Sequence, residues 1–216
     1  MNQIIGSSGG PVVLVLLALS VSALTIIFFK VWQFRQLRAE SSLAEEFLKH
    51  YSRSELPQAK LIIQAAKAPR GRLLKQSLEL SEHGRLAKPD LELELFRVAK
   101  AKLTELSSYL RVLEVIAAMA PLLGLLGTVL GMIEAFQAME AAGTKVDPSA
   151  LSGGVWQALL TTAVGLAVAI PVSVVHGWLE RRLELLATSF ENDLQRFFTA
   201  RAMIETKITK NVQSAM

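Results

Sequence analysis

Three stretches of the chain, residues 11–29, 115–133 and 148–175, contain no Asp, Glu, Lys, Arg or His. The shortest is 19 residues long, and a helix of that length reaches ~28 Å, about one hydrocarbon core. Unpaired backbone N–H and C=O groups are so costly in lipid that only helices and closed barrels cross it. Continuous apolar runs of this length match the helical case. The expected fold class is therefore an all-α membrane protein with three transmembrane helices. An ordinary water-soluble enzyme and a disordered tail are both excluded.

The distribution of charge sets the expected topology. Of the 23 Lys and Arg residues, 16 lie from Lys30 to Arg111, one (Lys145) lies between the second and third runs, and 6 lie from Arg181 onward. The net charge of +4 thus follows the positive-inside pattern and is not a nucleic-acid footprint. It predicts an external N-terminus and a cytoplasmic C-terminus. The expected divisions are an external stub over 1–10, a first span over 11–30 and a cytoplasmic helical region over 31–112. A second span follows over 113–137, a periplasmic loop over 138–150, a third span over 151–178 and a cytoplasmic C-terminal helix over 179–216. The first run has no positive n-region and no evident cleavage site before Lys30, so it reads as a retained anchor.

In the charged region Pro57, Pro69–Arg70–Gly71 and Gly84 punctuate short helices, and Lys88–Pro89–Asp90 opens a longer one. Phe96, Ala99, Leu103, Leu106, Leu110 and Leu113 recur at helical spacing and run into the second span, predicting one continuous helix from Asp90 to Ala138. Leu179, Leu183, Leu186, Phe190, Leu194 and Phe197 extend the third span in the same way, predicting a helix from Ser149 to Lys207. Too few other helices exist to cover both stripes, so contacts between subunits are expected as well as packing within one.

Small residues form a seam on each central span: Ala120, Gly124, Gly127 and Gly131 on the second, and Ala158, Gly165 and Ala169 with Thr162 on the third. In lipid such seams let backbones approach and gain dispersion contacts, which is sufficient reason for them. Thr128, Gln157, Thr161 and Thr162 add hydroxyl and amide groups that suit the lining of a narrow wet path. An isolated threonine in a span is ordinarily satisfied by its own helix.

Two stretches, Ala120-Pro-Leu-Leu-Gly-Leu-Leu-Gly-Thr-Val-Leu-Gly131 and Ala158-Leu-Leu-Thr-Thr-Ala-Val-Gly-Leu-Ala-Val-Ala-Ile-Pro171, resemble the MotA/TolQ/ExbB proton-channel family, in its three-span ExbB/TolQ branch. The resemblance implies a homo-oligomer, typically a pentamer, whose second and third spans line a central pore. It also implies an ExbD/TolR-type single-span partner inside that pore and a TonB- or TolA-type protein that spans the periplasm. Thr128 and Thr162 correspond to the family's pore-facing threonines. Gln157 stands where well-studied members carry Glu, which removes a titrating group from that position.

Between the flanking charges Lys30, Glu114, Glu134 and His176 the spans hold no acid or base, whereas proton relays across lipid rely on such groups. The expectation is that a partner supplies a membrane Asp, with Thr128 and Thr162 as its hydroxyl contacts. Glu134, at the outer end of the second span, is a candidate for proton entry or a solvated helix-end charge. His50, His83 and His176 are too scattered to bind a metal. The absence of cysteine excludes disulfides and thiol-ligated metals. No nucleotide-binding or nucleophile-elbow motif occurs, so no cofactor and no enzymatic activity are expected. The leading functional reading is a proton-channel subunit of a TonB-type motor. The alternatives are a TolQ-like subunit of the envelope-integrity system and a passive membrane scaffold.

Overall fold

The computed structural model describes residues 10–37, 41–83, 87–142 and 148–214, all helical apart from short connections. Seven helices follow in order: α1 (Gly10–Leu37), α2 (Ser41–Ser52), α3 (Leu56–Gln64), α4 (Pro69–Glu82), α5 (Lys88–Ser107), α6 (Leu110–Ala142) and α7 (Pro148–Ser214). Three helical stretches, lying in α1, α5–α6 and α7, are long and apolar enough to cross a membrane. Residues 1–9 of the expected external stub, Gly84, and 143–147 of the expected 138–150 loop lie outside the described residues. The parts of that loop that are described belong to the ends of α6 and α7.

The helices divide between two compact units. One comprises Met1–Lys30 and Tyr109–Leu179, the other Val31–Ser108 and Glu180–Met216. In the first, most large apolar side chains point outward: Phe28 is 80% exposed, Trp156 70% and Val174 68%. Only lipid or other protein makes such a surface favourable. On α1, Ser22 and Thr25 are satisfied within the helix, donating to Ala18 O and Val21 O, each at 2.8 Å. Val12 and Leu16 of α1 join Ala120 and Ala169 in one buried apolar cluster.

In the second unit α2–α5 and the later part of α7 enclose an ordinary hydrophobic core. It is built on Phe47, Tyr51, Ile63, Leu74, Leu95, Phe190, Leu194 and Phe197. Tyr51 stacks on Phe47 and on Phe197, with centroids 5.5 and 5.0 Å away. Pro57, Pro69 and Pro89 each sit in the first turn of a helix, where a missing N–H removes no bond. The Pro69–Arg70–Gly71 segment therefore starts α4.

The continuous helix expected from Asp90 to Ala138 does not form: α5 ends at Ser107 and α6 begins at Leu110. Ser108 is extended (ψ 143°) and Tyr109 is left-handed (φ 66°), a conformation that costs a non-glycine residue about 1–2 kcal/mol. Ser107 turns its hydroxyl back onto Thr104 O at 2.9 Å, the local competition by which serine weakens a helix. The Tyr109 ring lies 5.9 Å from Lys30 Nζ, a cation–π contact to a lysine that is itself fully buried. The helix expected from Ser149 to Lys207 does form, as α7 runs unbroken through Pro171.

Candidate functional site

The two small-residue seams meet each other inside one subunit, antiparallel, α6 against α7. A Cβ placed on Gly165 would lie 2.6 Å from Ala120 O and 3.0 Å from Gly124 Cα. One on Gly127 would lie 2.5 Å from Thr161 Oγ1, and one on Gly131 3.0 Å from Ala158 Cβ. Glycine is required at these positions for close approach and not for backbone freedom, since all are helical. Its poor helix propensity in water matters little where lipid leaves the backbone no alternative to a helix.

The structure continues the seam beyond the residues singled out in the sequence. Gly154 packs on Ala135, where a Cβ would come 2.6 Å from Ala135 Cβ. With these two added, and with Thr161 in the place expected for Thr162 because it is Thr161 that fills the notch at Gly127, the α6 members are Ala120, Gly124, Gly127, Gly131 and Ala135, and the α7 members are Gly154, Ala158, Thr161, Gly165 and Ala169. Both sets follow the same 4-3-4-4 spacing, the signal that would have revealed the two extra residues.

The three threonine hydroxyls of these spans have different surroundings. Thr162 is half-buried and donates to Gly124 O at 3.1 Å. Thr161 is only 2% exposed; its Oγ1 is 2.7 Å from Ala158 O and 3.2 Å from the same Gly124 O. Thr161 therefore sits between the two helices, with its side chain in the notch left by Gly127, and not on an open face. Thr128 is half-buried and donates within its own helix, to Leu125 O at 2.7 Å. Gln157 and Glu134 are half-buried on α7 and α6. The structure thus brings Thr161 and Thr162 together on one carbonyl and leaves Thr128 on its own helix.

A second polar constellation lies in the other unit and was not expected. Arg70 grips Asp193 with two parallel bonds, Nε to Oδ2 and Nη2 to Oδ1, each 2.8 Å. Asp193 is 1% exposed, so this is a buried bidentate ion pair. Glu45 extends it, accepting from Arg196 at 2.8 Å and from Arg70 at 3.4 Å. The Arg196 hydrogen bond holds the Glu45 carboxyl below its ordinary value of 4.5, against a smaller opposing effect of burial. The Asp193 bond raises the Arg70 guanidinium above its ordinary value. This network ties α2, α4 and α7 together. No cluster of His, Asp and Glu suited to a metal occurs among the described residues.

Comparison with known proteins places this geometry in a family. Residues 65–192, which include the whole α6–α7 seam, match the MotA/TolQ/ExbB proton channel family. The chain belongs to that family. An ExbB-like biopolymer transport protein 3 of Synechocystis is 34% identical over 168 residues, covering 76% of this chain and 77% of the relative. The biopolymer transport protein exbB1 of Vibrio cholerae is 40% identical over 86 residues, 38% of each chain. The Tol-Pal system protein TolQ of Haemophilus influenzae is 32% identical over 87 residues, 40% of this chain and 38% of its own length. This is an ExbB/TolQ-type subunit and a multi-pass membrane protein. MotA/TolQ/ExbB proteins are channel- and transport-associated subunits, not enzymes.

Proposed function

We propose that this chain forms the channel wall of a proton-motive-force motor of the ExbB–ExbD–TonB type, energising transport across the outer membrane. It works as a homo-oligomer, a pentamer by family resemblance, in the inner membrane, with the N-terminus periplasmic and α2–α5 and the end of α7 cytoplasmic. The observation that carries the reading is the pair of threonine hydroxyls converging on Gly124 O, at a level of the spans with no acid or base of its own, since Glu114, Glu134 and His176 stand only near their ends. A wall of this kind can orient a titrating group but cannot be one. A single-span partner of ExbD/TolR type supplies a carboxylic acid to the pore. When ionised it takes hydroxyl donors from Thr162 and Thr128; when protonated it tolerates the apolar wall beside them. Each proton taken up or released thereby changes which part of the wall the partner prefers, and that preference drives the motion passed to a TonB-like protein.

The test is proton flux into liposomes, read with a pH-sensitive dye. The chain co-purified with its single-span companion is compared with the chain alone and with Thr162→Val and Thr162→Ala complexes. Flux is expected only from the complex, and it falls at least about tenfold in both variants. Brisk flux through the lone subunit, or wild-type flux in both variants, refutes the proposal. The likeness to a TolQ supports a second reading in which the same wall serves a TolA-like protein. Cross-linking in cells to a TonB-like or to a TolA-like protein separates the two.

A further inference from the structure

Thr161 and Thr162 offer two hydroxyl donors to a single carbonyl, Gly124 O, at 3.2 and 3.1 Å. A carbonyl has two lone pairs, and in a helix the amide four residues on takes one of them. The second has a choice of donors. Thr161 Oγ1 also lies 2.7 Å from Ala158 O, so its hydrogen can point at either carbonyl without moving a heavy atom. A buried carbonyl that loses a partner is costly. On the reading given above, Thr162 must release Gly124 O each time its hydroxyl turns to a carboxylate in the pore.

We propose that Thr161 is a positioning residue for Thr162: when Thr162 turns away, the Thr161 hydroxyl swings from Ala158 O to Gly124 O and replaces it. Thr162 is thereby freed for the pore without leaving Gly124 O short of a side-chain donor, while Ala158 O keeps the helical amide four residues on. The notch at Gly127, which receives the Thr161 side chain, holds its oxygen between the two acceptors. This rests on the pore reading for Thr162, but the shared carbonyl is testable without it.

The first measurement is thermal unfolding of the purified full chain in detergent, by far-ultraviolet circular dichroism, for Thr161→Val, Thr162→Val and the double variant. Valine keeps the shape and removes the hydroxyl. Redundant donors give small losses in each single variant and a loss in the double clearly larger than their sum. Additive losses overturn the shared-acceptor arrangement. The second measurement is proton flux through the partner-bound complex. Thr161→Val should lower flux about tenfold with only the small loss of melting temperature expected of a single variant, and Thr161→Ser, which restores the hydroxyl alone, should recover the flux. Wild-type flux in Thr161→Val with flux lost in Thr162→Val overturns the positioning role and leaves the pore reading standing. Wild-type flux in both valine variants overturns the pore reading, and the positioning role falls with it. The unfolding data then still decide whether the carbonyl is shared.

Discussion

Gly165→Ala is the most direct probe of the α6–α7 seam, because one added methyl meets only backbone. Its Cβ would lie 2.6 Å from Ala120 O, 3.0 Å from Gly124 Cα and 3.3 Å from Gly124 N, where ordinary contact begins at 3.4 Å. None of these atoms can rotate aside, so the helices must part by about 0.8 Å at that level, the shortfall at Ala120 O. Such a shift stretches the Thr161 and Thr162 contacts with Gly124 O, now 3.2 and 3.1 Å, to about 4 Å, beyond hydrogen bonding. Overpacking costs about 1–3 kcal/mol and a lost hydroxyl bond about 1, against a helix-propensity gain of about 0.5–1. The net expectation is a destabilisation of about 1–3 kcal/mol, or a fall in Tm of roughly 3–10 °C for a chain of this size. Gly153→Ala and Gly177→Ala are the controls, since a Cβ at either meets nothing within 4 Å, and both should unfold at or above the wild-type temperature. Thermal unfolding of the three variants in one detergent decides the matter. If Gly165→Ala melts with its controls, the close approach of α6 and α7 described here is wrong.

Three further outcomes follow from the geometry. Gly154→Ala should destabilise through its contact with Ala135 Cβ, and the exchange Gly154→Ala with Ala135→Gly should recover most of the loss in the same unfolding assay. Arg70→Met strands the buried Asp193 carboxylate and should cost about 3–5 kcal/mol, whereas adding Asp193→Leu should restore stability; a double variant as unstable as the single one would count against the ion pair. Because the folded Glu45 carboxyl titrates below its ordinary 4.5, its contribution is present above that pH and is lost as pH falls through the folded value. Glu45→Gln should therefore flatten part of the acid limb of the Tm–pH curve. Parallel limbs in variant and wild type would show that the pairing contributes nothing.

The three spans were legible because lipid permits so few solutions: a charge-free run of sufficient length has to be a helix. The small-residue pattern was legible for the same reason, but Ala135 and Gly154 continue it unrecognised and Thr162 was expected in the seam position that Thr161 occupies. The break at Ser108–Tyr109 was hidden, since the stripe through Leu106, Leu110 and Leu113 keeps its period across it. Periodicity records which face is buried, not whether one residue between has turned left-handed. The Arg70–Asp193 pair was out of reach for another reason: the partners are 123 positions apart, and charge on a mostly exposed surface is the ordinary expectation. A carboxylate set between Phe190 and Leu194 in an otherwise apolar stripe was the available hint. The sequence placed Thr161 and Thr162 side by side as pore candidates. Only the antiparallel pairing of α6 and α7 separates a hydroxyl wedged between helices from its half-buried neighbour.

The seam also contains its own alignment key. Gly and Ala facing Gly and Ala would tolerate sliding, because every level is much like the next. Thr161 is the single bulky member on either helix, and Gly127 is the vacancy that receives it, with a hypothetical Cβ there only 2.7 Å from Thr161 Cβ. Displaced by seven residues in either direction, Thr161 would confront Ala120 or Glu134, both of which carry the carbon for which there is no room. That single tooth bars a slip of two turns, whereas a slip of one turn, three or four residues, would set it before Gly124 or Gly131, where a glycine again leaves room.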